Sequence, residues 1–181
     1  MNRVWQLQHA QLLNKGEVSM NRRPLIAAGT IMGIGMGGFV DGILFHQIFQ
    51  IHNMLSAKIP PTSLVNVETT MVWDGLFHAL TWVMTAIGIA MLWHAGKQRD
   101  VPWSGRTFFG SMVFGWGVFN VVEGIIDHHI LNLHHVVERL GVSIYDYAFL
   151  GAGVLFLVLG WSIINAGKRD DLSAHPAPAI R

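Results

Sequence analysis

The chain has 181 residues, 13% of them charged and 51% hydrophobic, with a mean hydropathy of +0.40. Soluble domains carry about 25% charged residues, so the composition argues against an ordinary water-soluble domain. Twelve Lys and Arg against eleven Asp and Glu leave a net charge of +1, which offers no basic face to nucleic acid. The absence of Cys excludes disulfides, thiolate zinc or iron–sulfur sites, covalent haem and a Cys nucleophile, yet ten His remain.

Residues 1–24 are polar and read as a cytoplasmic N-terminal segment. Four apolar stretches follow, near Leu25–Gln50, Trp73–Trp93, Thr107–Leu133 and Tyr145–Ala166. Each reaches the ~20 residues an α-helix needs to cross a bilayer. The first begins too late and runs too long for a cleaved signal peptide. A connection holding Lys58, Pro60 and Pro61 joins the first pair, Lys97 to Arg106 joins the second and third, and a short link near Gly141 joins the last. Residues 25–166 thus form a transmembrane bundle, and residues 167–181 read as a cytoplasmic tail without order.

Basic residues set the expected orientation. Arg3, Lys15, Arg22, Arg23, Lys97, Arg99, Arg106, Lys168, Arg169 and Arg181 fall on one side, against Lys58 and Arg139 on the other. The positive-inside rule places both termini in the cytoplasm, with Trp73 at the outer boundary and Trp93 and Trp103 at the inner one.

The first and third stretches repeat each other. Gly35–His52 reads GMGGFVDGILFHQIFQIH, and Gly115–His134 reads GWGVFNVVEGIIDHHILNLH. A shift of 82 residues puts Asp41 on Glu123, Gly42 on Gly124, His46 on His128, Gln50 on Asn132 and His52 on His134. Trp73-Asp74 and Tyr145-Asp146 open the other two spans alike. The fold expected is an all-α membrane protein of four transmembrane helices, two pseudo-repeated hairpins around a polar His/carboxylate cluster. At ~1.5 Å per residue, Asp41 and Glu123 lie at matching depths in the outer third of the bilayer, where Asp74 and His78 occupy the first two turns of the second span. Helical angles put Glu123, Asp127 and His134 on one face and His128, Asn132 and His135 on another; Asp41 and His52 share a face, and His129 points away.

Ionisable groups in a bilayer persist by pairing or by binding something. Asp41, His46, His52, Asp74, His78, Glu123, Asp127, His128, His134 and His135 form a candidate metal site, because imidazole and carboxylate suit one or two Cu, Fe or Zn ions. Redox chemistry at an Fe or Cu centre is the first enzymatic expectation, and metal-activated hydrolysis of a lipid-like or other small-molecule substrate the second. The competing readings are a copper-handling assembly factor, a haem protein with His46 and His128 as axial ligands, and a polar network that only joins helices. His52-x-Met54 hints at copper, whereas the Glu-x-x-His spacing of ferritin-like di-iron proteins is missing. The glycines, Gly29, Gly33 and Gly37 among them, read as close-packing positions that also permit oligomerisation through Gly-rich faces.

The phrases GGFVDGILFHQIFQIHNMLS, WDGLFHA and FNVVEGIIDHHILNLHHV resemble those of an uncharacterised family of bacterial predicted four-helix membrane proteins. The resemblance spans residues 25–165 and implies a compact multi-pass protein of the bacterial inner membrane, without implying an activity. Asp74-x3-His78 alone is similar to a copper-binding fragment of membrane monooxygenase subunits.

Overall fold

Pro24 stands in the first turn of α1 (Arg23–Asp41), where a missing backbone N–H costs nothing. Residues 20–168 are described by the structure, a computed structural model. The polar segment before residue 20, the tail from residue 169, and with them His9 and His175, lie outside the described residues. Three serines start the other helices: Ser63 accepts from Asn66 N–H at α2 (Leu64–Ala95), and Ser104 from Thr107 N–H at α3 (Gly105–Glu123). Ser143 opens α4 (Ile144–Ala166), its backbone N–H donating to Asp146 Oδ2 at 2.9 Å as in a capping box. No strand occurs among the described residues, and all four helices are long and apolar enough to cross a membrane.

The second helix departs from expectation. It begins at Leu64, nine residues ahead of Trp73. Asn66, Glu68, Thr69 and Thr70 dilute the hydropathy of its first turns, so the apolar pattern starts later than the helix does. Asp74 and His78 consequently sit in the third and fourth turns rather than the first two.

The first and third spans end earlier than expected, and identically. Each closes in a seven-residue π-helical segment, Gly42–Ile48 after α1 and Gly124–Ile130 after α3. Gln50 and Asn132, 82 residues apart, then take left-handed φ values of 49° and 48° and stop the helix. Beyond them the chain is irregular, so His52, His134 and His135 stand in loops.

In the bundle α1 packs on α3, while α2 flanks α1 and α4 flanks α3. Backbone contact at the central crossing requires glycine. A Cβ on Gly33 would strike the Met112 carbonyl, and one on Gly115 would strike the Thr30 carbonyl, which is the same contact under the 82-residue shift. The flanking helices obey a shift of 72: Gly88 abuts Met32 of α1 as Gly160 abuts Phe114 of α3. At the end where α1 begins and α4 finishes, the Arg22 guanidinium donates to Thr107 Oγ1 and to the Ile164 carbonyl, beside a small core of Leu25, Ala95 and Val101. At the opposite end the two loops bind each other. Ala57 N–H donates to the Leu133 carbonyl at 3.0 Å, Glu138 N–H to the Ile51 carbonyl at 3.2 Å, and Ser56 Oγ to Glu138 Oε2 at 2.7 Å. They roof the bundle over its polar centre.

Candidate metal centre

The last α-helical residues of α1 and α3 are Asp41 and Glu123. The π turn that follows each carries His46 or His128 inward, and the loop beyond brings His52 or His134 back over it. Six side chains thereby converge as two equivalent sets, Asp41–His46–His52 and Glu123–His128–His134, and all six are buried. Ligand-type atoms of His46, His52 and His134 lie within 4.8 Å of one another, and those of Glu123, His128 and His134 do likewise. His52 and His134 stack across the pseudo-axis with centroids 4.7 Å apart and planes 6° from parallel.

Hydrogen-bond partners fix how these rings point. His52 Nδ1 is 3.1 Å from the Val136 carbonyl, and His134 Nδ1 is 3.2 Å from the Met54 carbonyl. A carbonyl can only accept, so each Nδ1 carries the hydrogen, and in the neutral ring each Nε2 holds a lone pair. His46 Nδ1 faces Asp74 Oδ1 at 3.1 Å, and His128 Nδ1 faces Asp146 Oδ1 at 3.2 Å. The two orienting carboxylates are held alike, Asp74 Oδ1 by Met54 N–H at 2.8 Å and Asp146 Oδ1 by Val136 N–H at 3.1 Å. Phe77 and Phe149, 72 residues apart, back His46 and His128 at 5.4 and 5.3 Å.

What remains inside is a set of polar atoms without partners. Asp41 Oδ2, both Glu123 carboxylate oxygens, and the Nε2 atoms of His46, His52 and His134 are buried and have no hydrogen-bond partner. His46 Nε2 is 3.2 Å and His52 Nε2 4.0 Å from Asp41 Oδ2, and His134 Nε2 is 3.5 Å from Glu123 Oε1. Lone pairs facing one another at such distances repel unless a proton or a metal ion lies among them. His134, in the loop, has its pKa held well below the ordinary histidine value, first by burial and then by the facing imidazoles of His52, His128 and His46.

The other residues expected at the site fall around this centre. Asp74 orients His46. His135 reaches Asp146 at 3.6 Å, in the place where Asn53 donates to Asp74 Oδ2 at 2.8 Å in the first half. Asp127 is half-buried beside the cluster. His78 belongs to neither ligand set: its Nδ1 donates to its own helix, to the Asp74 carbonyl at 2.7 Å, and its 72-residue counterpart is Leu150. His129 likewise turns to the Gly124 carbonyl at 2.7 Å. Asp146 is the residue that the site expected from sequence omits, although the aromatic–acid pair Tyr145-Asp146 marked it as the match of Trp73-Asp74. Met54 serves through its backbone, giving its N–H to Asp74 and its carbonyl to His134.

Two spaces adjoin the centre. A polar hollow of about 550 Å³ among the loops is lined by Gln50, His52, Asn53, Glu138 and Arg139. An apolar cavity of about 320 Å³ between α1, α2 and α3 ends at Glu123 and Asp127.

Fold and site together define a four-helix membrane protein with a buried imidazole–carboxylate cluster at one end of its bundle. The family described as predicted membrane protein (DUF2243) matches residues 28–167, and the chain belongs to that family. No curated protein and no solved structure matches it.

Proposed function

We propose that the protein is an integral membrane metalloprotein whose cluster binds transition-metal ions, two when fully loaded, and that its chemistry is oxidation–reduction. The observation that carries this reading is the ring of buried polar atoms just described. Asp41 Oδ2, Glu123 Oε1 and the Nε2 atoms of His52 and His134 face each other, buried and without hydrogen-bond partners. Each half offers two imidazoles and one carboxylate, the ligand set suited to Fe(II), so iron ranks first, with copper and zinc as the other ions these ligands accept. The two carboxylates offset much of the charge the ions would bring into a region of low dielectric. Carbonyl and carboxylate partners at Nδ1 would fix the ring orientations and raise ligand basicity.

Ions are favoured over haem by packing, since both expected axial ligands, His46 and His128, lie edge to face against the stacked rings of His52 and His134 with centroids 4.7 to 6.4 Å apart, which crowds out a macrocycle. A metal-activated water for hydrolysis is the second reading, supported by the hollow of about 550 Å³ beside His52 among the loops, which has room for water.

The test is elemental analysis and an absorption spectrum of protein purified in detergent from cells grown with iron, copper and zinc supplied. Stoichiometric metal is expected in the wild type, and it should fall to background in His52→Ala and His134→Ala. Metal-free wild type that binds none of the three on titration would overturn the proposal and leave a protonated Asp–His network holding the helices together.

A further inference from the structure

The two halves agree at every ligand but not at their lipid-facing flanks. On one side, Ile34 of α1, Met84 of α2 and Asp127 line the apolar cavity of about 320 Å³. Their counterparts under the two shifts are Trp116, Phe156 and Phe45. Trp116 and Phe156 pack edge to face with centroids 5.3 Å apart, and Phe45 lies against His52 at 5.9 Å. At these three positions aromatic rings stand on the second flank where smaller chains line the cavity on the first, while Leu80, Thr81 and Phe119 of the lining answer to the smaller Ala152, Gly153 and Gly37.

The cavity is built for something from the bilayer. Its wall is apolar, and the chains at its rim, Leu80 and Val122, are 60% and 49% exposed within membrane-spanning helices, so its mouth faces lipid rather than water. Leu80 is 16 residues into α2, about 24 Å at ~1.5 Å per residue, near the middle of the span. The inner end is acidic. Glu123 is buried there with both carboxylate oxygens unpartnered, and Asp127 stands one turn further on. An apolar pocket at the lower end of the usual ligand-site range, closed by a few convergent polar groups, is the ordinary form of a small-molecule site.

We propose that this cavity admits a lipid-soluble, single-chain aliphatic molecule sideways from the bilayer, with an uncharged hydrogen-bond-donating end directed at Glu123. The two unpartnered oxygens of Glu123 offer a partner to a hydroxyl, and the absence of any cationic side chain in the lining disfavours an ionised fatty acid. Glu123 also belongs to the cluster, so the occupant's polar end lies beside the proposed metal. This inference rests on the metal reading for its meaning, while the binding event itself does not require it.

The experiment is photolabelling of the full-length protein in lipid nanodiscs with a diazirine-bearing hexadecanol, followed by peptide mapping and, on the same samples, metal analysis. Labelling should concentrate on α2 and α3 around Leu80, Met84 and Val118. It should be lost in the double variant Ile34→Trp/Met84→Phe, which places in the cavity the aromatic side chains of the other half, with metal content unchanged. Leu80→Trp, a rim position that disturbs no buried packing, gives the same expected loss should the double variant fold poorly. Labelling spread evenly over the lipid faces of α2 and α4, or unaltered by Leu80→Trp, would overturn the proposal. A wild type that labels at the cavity yet contains no metal would support the cavity and sink the metal reading, so the two fail separately.

Discussion

His134 shows how one side chain is prepared for a task by its surroundings. Its Nδ1–H is given to a backbone carbonyl, and burial among other imidazoles keeps its pKa below the ordinary 6.5. A neutral ring buried in this way has a stability consequence with a definite sign. Below pH 6.5 the unfolded chain takes up a proton at this position and the folded, metal-free protein does not. Stability therefore falls as pH drops from about 6.5 toward the lowered native value, by up to about 1.4 kcal/mol per pH unit. The metal-free protein should lose thermal stability between pH 7.5 and 5.5, and His134→Gln should flatten that dependence. An equal slope in the variant would show that His134 is not held neutral. Asp74 and Asp146 work at the same scale: each accepts a main-chain N–H from the loop and fixes an imidazole with the same oxygen.

At the scale of elements, the α1–α3 crossing is set by two glycines and by nothing bulkier. Gly115→Ala places a methyl group against the Thr30 carbonyl, and neither backbone can yield without moving the site at the end of both helices. Overpacking of this kind costs about 1–3 kcal/mol. The variant should unfold at lower denaturant in a detergent titration, while Gly151→Ala, with open space around its Cα, should behave as wild type. These elements were unequally legible in the sequence. The apolar runs located the helices and the fourth span nearly to the residue, because α4 is apolar from its first turn. The start of α2 was hidden by Asn66, Glu68 and two threonines, which lie in helix but look like loop. The π segments were not legible at all. A turn bonded from i to i+5 has no hydrophobic signature of its own, and it changes the angular step on which the helical faces were reckoned. His52 and His134, placed on helix faces by that reckoning, stand in loops. Their convergence was still readable, since the 82-residue repeat does not depend on local geometry. His78 marks the limit of that reading: proximity in sequence to Asp74 suggested a shared role, and the helix carbonyl takes its Nδ1 instead.

Considered whole, the molecule is two nearly equal halves that differ at their lipid-facing flanks and at a few positions around the centre. Ligands, orienting acids, backing phenylalanines, helix terminators and glycine crossings all repeat in kind at shifts of 82 or 72 residues. Trp116, Phe156 and Phe45 stand in the second half where Ile34, Met84 and Asp127 line the apolar cavity of the first. A duplicated scaffold holds its shared centre symmetric while its exposed flanks are free to diverge.

The backbone carbonyls that orient the loop histidines are exchanged between the halves, Val136 serving His52 and Met54 serving His134. Neither hairpin can therefore finish its own half of the centre. The link from Gly96 to Ser104, on the far side of the bundle, packs Val101 against Leu25 and Ala95 and carries none of the ligands. A chain severed after Gln98 should still work as two co-produced pieces, the tagged first hairpin drawing down the second, while either piece made alone should fail to accumulate as a folded species. Recovery of one hairpin folded by itself would refute this interdependence. By this logic the present single chain is equivalent to a pair of interlocked subunits, and a self-associating hairpin is the simplest ancestor from which it could have been joined.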